Sequence, residues 1–409
     1  MCLSFFLACT PNTRFCYPFS TTTAADRHAT VTTMSLPRRV SHATAWGDKV
    51  YPVRTDVYYW KCDNPLPIEQ KRLYNDKYAQ ADITDTVTAI AHDFLSEPPD
   101  TVRPTGSAGN HYAYLIDHAG GTYFFRSDDG KLDDDYMLAE EAAMALATAH
   151  EVPVPKVFAC DVTMSRYPVR YQILEYLPYP DLNKHDQADR LDRVNVARQV
   201  GTILARLHHI ELEGFGFWNT QMLATSGTIR GLDASARDYF FKCLDTHLRY
   251  LRDVEFLTAD QVTEIEALVQ RHDSLLNIEK GSMLHKDMAF WNLVGSPTQV
   301  MAVVDWDDVV IGDPVDDLSI IRCFYDDDVW LPLLDSYRKL RPLRDDFDAR
   351  LALYLTRNML WKSMIRHYMG YFDMTGNFFI LNRESAGGLE AATRKRLAMG
   401  VDGMRRACP

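Results

Sequence analysis

The chain changes texture once, and that change limits what it can fold into. Upstream of Pro178-Tyr179-Pro180 apolar residues tend to alternate, and downstream they recur at helical spacing. Residues 101–127 (TVRPTGSAGNHYAYLIDHAGGTYFFRS) are rich in aromatics and glycine. They predict strands joined by tight turns, the second at Gly120-Gly121. Residues 134–149 are rich in Ala and Glu and predict a helix that stops before Pro153 and Pro155. Strand-like runs follow at Lys156 to Cys160 and Val169 to Tyr176. Further on, the spacing predicts helices over 188–209, 232–251, 258–276, 315–325, 344–369 and 385–406, with a short apolar strand at Val300 to Val304. Residues 66–97 carry a helical pattern that ends at Pro98-Pro99. Strands gathered early and helices gathered late predict an α+β protein. The expected organisation is an extension over 1–45, a helical and extended segment over 46–99 packed on a small lobe, the small lobe over 100–178, and a helical lobe over 179–409.

Hydrophobic residues make up 46% of the 409, which is ample for a core. The net charge of -12 carries no basic footprint for nucleic acid, and Arg38-Arg39 is the one compact basic cluster. Eight cysteines, at 2, 9, 16, 62, 160, 243, 323 and 408, form neither a CxxC pair nor a zinc pattern and read as reduced thiols of a cytoplasmic protein. No run of 18 apolar residues occurs, so no membrane span is expected. Residues 1–40 hold four arginines, many Ser and Thr, and one acid, Asp26. That composition suits a transit peptide, which would make the protein mitochondrial, and equally a disordered tail or a true start at Met34.

The most specific run is His285-Lys286-Asp287-Met288-Ala289-Phe290-Trp291-Asn292, of the form HxDxxxxN. Beyond it the apolar run VMAVV leads into Asp305-Trp306-Asp307, and Gly312-Asp313-Pro314 follows. Phosphoryl transfer needs positioning and charge neutralisation more than covalent help. One carboxylate must sit beside the attacking hydroxyl, and Asp287 suits that place. A second carboxylate and an amide oxygen must hold magnesium, a hard ion that prefers oxygen; Asp305 and Asn292 suit that. An acid at the end of a buried strand is costly unless it is paired or metal-bound. Taken alone, an HxD is a common turn; the whole constellation is not.

HKDMAFWNLV followed by VVDWDDVVIGDPVDDLS resembles the phosphotransferase enzyme family, which includes aminoglycoside kinases and choline-kinase-like enzymes. Weaker likenesses extend it: LARLHHIELEGFG at 204–216, VPVP at 152–155 and TGSAGNHY at 105–112. The resemblance covers about residues 100–325. It implies a protein-kinase-like bilobal fold: a small N-terminal lobe of antiparallel sheet plus helix that binds nucleotide, and a large mainly helical C-terminal lobe. It also implies an ATP- and Mg2+-dependent kinase moving the γ-phosphate to a hydroxyl of a small molecule. Carried over by position, Asp287 is the base, and His285 braces its loop. Asn292 and Asp305 bind magnesium, with Asp307 an accessory ligand or a supporting group. Asp313 and Asp317 anchor the loop below. Gly106, Ser107, Gly109 and Asn110 form the phosphate loop, where glycine lets backbone N–H groups approach phosphates. Arg126 stands where protein kinases place lysine, and Arg is not interchangeable with Lys. Its helix partner is Glu140 or Glu141, with Glu140 preferred. Glu175, Tyr176 and Leu177 form the hinge at the adenine edge.

The acceptor is poorly specified. Asp326, Asp327, Asp328, Asp345, Asp346 and Asp348, with Trp330, Trp361, Tyr368, Tyr371 and Phe372, would suit a cationic acceptor. They read better as an Asp-rich helix start and core aromatics. Two rival functions stand beside the kinase: a nucleotide-binding module without turnover, and a protein kinase. The lack of a DFG, replaced by Asp305-Trp306-Asp307, and of an APE segment argues against the latter. Oligomeric state and ATP versus GTP stay open.

Overall fold

The computed structural model describes residues 82–105, 111–128, 136–376 and 378–407. The expected extension over 1–45, the first part of the 46–99 segment, and Gly106, Ser107, Gly109 and Asn110 lie outside the described residues.

The first sheet is antiparallel, built from β1 (Thr101–Pro104), β2 (Tyr112–His118), β3 (Gly121–Asp128), β4 (Val157–Asp161) and β5 (Arg170–Glu175), in the order β1-β2-β3-β5-β4. Ala119 and Gly120 close the β2–β3 hairpin with φ of 49° and 78°, and His118 faces Gly121 across it. Two positive φ values in a two-residue loop match the twist of the strands they join. Helix α1 (Thr84–Leu95) covers one face through Val87, Ile90 and Ala91, packed with Tyr114, Ile116, Phe125 and Ile173. Helix α2 (Tyr136–Ala149) meets the sheet through Gln172, whose amide donates to the Met137 carbonyl at 2.8 Å.

After β5 the chain becomes mostly helical: α3 (Leu182–Gln187), α4 (Arg193–Leu207), α5 (Thr220–Ser226), α6 (Ala236–Phe241), α7 (Leu244–Asp253), α8 (Ala259–Arg271), α9 (Pro314–Phe324), α10 (Asp327–Leu340), α11 (Phe347–Tyr368) and α12 (Leu389–Ala407). Some expected helices shift or divide. The one expected over 188–209 is α4, which starts later because Asp192 caps it, and α3 ahead of it is a separate short helix capped by Asp181. The one expected over 232–251 opens as a strand and breaks at Cys243, whose φ is 56°. Thr258 and Gln261 form a capping box that starts α8. Helix α10, which holds Pro332 in its interior, is not among the expected helices. It packs closely on α4 at Gly201, where a Cβ would overlap the Leu333 carbonyl oxygen.

A second sheet was also unforeseen: β6 (Glu211–Leu212), β7 (Phe215–Trp218), β8 (Gly231–Asp233), β9 (Gly281–Leu284) and β12 (Val310–Gly312), ordered β6-β9-β12-β7-β8. Strands of two to four residues are too short to show a period. The expected strand at Val300 to Val304 is β11 (Gln299–Val303), paired antiparallel with β10 (Leu293–Ser296). The Val303 N–H donates to Pro153 O at 2.8 Å, tying this hairpin to the strand-rich part of the chain. The candidate site lies where β9, the β10–β11 hairpin and the start of α9 converge.

Candidate active site

Strand β9 delivers the chain to His285, and the backbone turns sharply at Lys286, whose φ is 69°. A lysine in the left-handed region is strained and must be held there. Asp317 on α9 holds it: Oδ2 accepts the His285 N–H at 2.8 Å and Oδ1 the Lys286 N–H at 2.7 Å. Oδ2 also lies 3.2 Å from His208 Nε2, and His208 Nδ1 is 2.9 Å from the Tyr337 hydroxyl. Burial works to raise the Asp317 pKa, but the bonds from His208 and the backbone hold it below the usual value. The Lys286 ammonium is buried, paired with Asp316 and bonded to Asn358 Oδ1 at 3.1 Å.

His285 braces the same turn. Its Nε2 lies 3.1 Å from Val304 O, and its Nδ1 accepts the Asp287 N–H at 3.3 Å. One nitrogen donates and the other accepts, so the ring is neutral; burial depresses its pKa accordingly. Trp306 packs edge-on against it at 4.8 Å.

These supports present the Asp287 carboxylate. Its Oδ2 accepts from Asn292 Nδ2 at 2.8 Å and from Trp291 Nε1 at 3.2 Å. Asn292 Nδ2 also reaches Asp287 O at 2.8 Å. Asp287 Oδ1 therefore has no hydrogen-bond partner among the described residues. Asn292 spends its amide nitrogen on Asp287, so its buried Oδ1 is left without a partner among the described residues. A buried carbonyl oxygen with no donor is costly and suits a cation ligand.

Asp305 follows β11 with φ 65°, a conformation that ends the strand. Oxygens of Glu140, Asp305 and Asp307 lie within 4.8 Å of one another, a group able to hold a metal ion. All are hard oxygen donors, which fits magnesium. Arg126 on β3 pairs with Glu140 on α2. Burial opposes its charge, but Glu140, Tyr136 and Asp305 push its pKa above the ordinary value. Glu141 faces elsewhere, toward Cys160, and burial raises its pKa.

The other candidate residues divide. Glu175, Tyr176 and Leu177 leave β5; Glu175 accepts the Lys156 N–H through Oε2 at 3.1 Å and is exposed. Asp313 caps α9, accepting from Val315 N at 3.1 Å, and pairs with Arg350 at 2.6 Å. The Asp-rich stretch is committed to ion pairs: Asp326 with Arg396, Asp327 with Arg322, Asp328 with Arg193, and Asp346 with Arg350. Trp330 stacks on Phe347 and Phe372 on Phe256, both as packing. Sequence reasoning missed Lys286, Asp316 and Asn358. Nothing in the spacing signals that 286 and 358 meet.

The profile of the phosphotransferase enzyme family matches residues 101–350. Among curated proteins, none matches the chain in sequence. Solved structures share the fold at low identity. A Thermobifida fusca protein provisionally described as a fructosamine-3-kinase is 19% identical with a TM-score of 0.52, covering 78% of this chain and 99% of its own. A thermostable variant of aminoglycoside phosphotransferase APH(4)-Ia, in ternary complex with ADP and hygromycin B, is 14% identical with a TM-score of 0.53, covering 79% of this chain and 99% of its own. The same enzyme with AMP-PNP and hygromycin B gives 14% and 0.53, covering 79% and 98%. Among the described residues, no helix is long and apolar enough to cross a membrane.

Proposed function

The chain belongs to the phosphotransferase enzyme family, and from that premise we propose that it transfers the γ-phosphate of ATP, with magnesium, to a hydroxyl of a small molecule. The observation that carries this reading is the division of labour between Asp287 and Asn292. One side-chain nitrogen fixes the carboxylate at Oδ2, and two oxygens, Asp287 Oδ1 and Asn292 Oδ1, have no hydrogen-bond partner among the described residues.

Asp287 Oδ1 accepts the proton of the acceptor hydroxyl as its oxygen bonds to the γ-phosphorus. The bond from that phosphorus to the bridging oxygen breaks, and ADP departs with the electron pair. Asn292 and Trp291 keep the carboxylate aimed, and His285 and Asp317 keep the turn beneath it in place. Asn292 and Asp305, with Asp307 in support, would hold magnesium, which when bound neutralises phosphate charge. Arg126, oriented by Glu140, grips the α- and β-phosphates. Gly106, Ser107, Gly109 and Asn110, outside the described residues, are the phosphate loop that the family resemblance implies, and the backbone of Glu175, Tyr176 and Leu177 would meet the adenine edge.

The test separates chemistry from binding. Asp287→Asn should abolish ADP release with an accepted substrate yet keep a rise in unfolding midpoint that needs ATP and magnesium together. Asp305→Ala should lose that rise. A ligand at 100 times its Kd stabilises by about 2.7 kcal/mol, enough to see. Turnover near wild type in Asp287→Asn would sink the assignment. A nucleotide shift with no ADP release from any acceptor would instead favour a binding module.

A further inference from the structure

Helix α11 runs beneath the Asp287 loop, and three of its residues four apart, Asn358, Lys362 and Arg366, share one face. Asn358 is used by the buried network: it accepts from Lys286 and donates to Asp316 Oδ1 at 2.7 Å. The next two residues are cations with no ion-pair partner among the described residues. The Lys362 ammonium sits 4.6 Å from the centre of the Phe324 ring and 5.1 Å from that of Trp361. It makes no hydrogen bond or ion pair among the described residues. Burial pulls its pKa down, and the largest charge acting to hold it up is Asp287. Phe324 in turn meets Trp291 edge-on at 4.6 Å, and Trp291 donates to Asp287. Lys362, Phe324, Trp291 and Asp287 therefore form one chain of contacts.

Arg366 lies one turn on. Its guanidinium donates to Thr393 Oγ1 at 2.6 Å and lies 5.8 Å from the same Phe324 ring, with no carboxylate partner among the described residues. Burial lowers its pKa to about 10. The thiol of Cys323 reports the local field: burial pushes it up, while Lys362, Arg366, Lys286 and Arg396 all act to bring it down. The nearby acids, Asp326, Asp327 and Asp328, are already paired with other arginines. Arg366 is buried and Lys362 half-buried, and neither has an ion-pair partner among the described residues; cations so placed are costly unless paired, so folding explains them poorly.

We propose, resting on the kinase reading above, that the acceptor carries an anionic oxygen group, carboxylate or phosphate, received by Lys362 and Arg366 while its hydroxyl faces Asp287. The site thus selects hydroxylated acids or phosphate esters over amino alcohols and aminoglycosides. Lys362 and Arg366 set specificity and take no part in the bond changes.

The experiment titrates the full chain, saturated with magnesium and AMP-PNP, with probes sorted by charge. Glycerate and glycerol phosphate are the anions, glycerol is neutral, and serinol and kanamycin A are cations. Calorimetry should show binding of at least one anion and of neither cation, with the carboxylate and phosphate arms separating the two sources. Lys362→Met and Arg366→Met, which remove charge while keeping bulk, should each weaken that binding at least tenfold. With ATP, they should raise KM for the anion at least tenfold and leave kcat within about threefold. Binding of a cation in place of the anions, no anion binding at all, or equal binding by wild type and both variants would overturn the proposal. Anion binding that depends on Lys362, but without ADP release from ATP, would overturn the kinase reading and leave this one standing.

Discussion

Asp317→Asn is the substitution that best exposes how the turn beneath Asp287 is built. The wild-type carboxylate accepts three donors while buried: the backbone N–H groups of His285 and Lys286 at 2.8 and 2.7 Å, and His208 Nε2 at 3.2 Å. Asn offers one acceptor oxygen and turns two amide hydrogens toward donors that cannot receive them. At least one buried donor is orphaned, and the remaining bonds lose the help of a charge. At about 1–3 kcal/mol for each unsatisfied group, more where a charge assists, the loss should be about 3–5 kcal/mol. Urea unfolding followed by tryptophan fluorescence at pH 7.5 measures it. The Asp317 pKa is depressed in the fold, so its contribution is present above the ordinary value of 3.8 and is lost as pH falls through the depressed one. The gap between wild type and variant should therefore hold across neutral pH and close only in acid. Because Asp317 also restrains Lys286 at φ 69°, turnover should fall more than stability alone requires. A variant within about 0.5 kcal/mol of wild type would refute the claim that Asp317 holds the turn.

Other outcomes follow from particular contacts. Glu140→Ala leaves the largely buried Arg126 without its ion-pair partner and should cost about 3–5 kcal/mol, whereas Glu141→Ala should cost less than about 1; equal losses would undo the pairing. Burial depresses the pKa values of His185, His208 and His285 below their ordinary 6.5, so the unfolded chain binds more protons in mild acid. Stability should fall as pH drops below 6.5, by up to about 1.4 kcal/mol per pH unit for each histidine, and a flat profile from pH 7 to 5 would contradict their neutrality. Gly201→Ala forces a methyl into the Leu333 backbone where α4 crosses α10, and denaturant unfolding should show a loss of about 1–3 kcal/mol.

Local chemistry was legible in the sequence, and long-range pairing was not. The Ala-rich run that became α2, the hairpin turn at Gly120 and the HxDxxxxN loop all announce themselves within a few residues. Propensity, turn geometry and metal-ligand chemistry act over that range. The preference for Glu140 over Glu141 agrees with the observed ion pair, because one position on a helix settles which face the side chain takes. A helix start was misplaced where a capping aspartate sets it later, as at Asp192, and a helix was missed where a proline is tolerated inside it, as at Pro332. The five short strands of the second sheet escaped notice because strands of two to four residues carry no period.

The substrate side shows why such limits matter for function. In the sequence, Asp326, Asp327 and Asp328 read better as an Asp-rich helix start than as a patch for a cation, and nothing there singles out Lys362. Tertiary pairing reverses the local sign. The arginines at 396, 322 and 193 come from three separate helices or their flanks to occupy those aspartates. Helix α11 meanwhile brings Lys362 under Phe324 with no ion-pair partner among the described residues. A side chain's charge is local, but whether that charge is spent depends on what the fold sets against it. Under the proposed reading, acceptor preference follows from the charges left unpaired among the described residues, and Lys362 and Arg366 are the cations so left on α11.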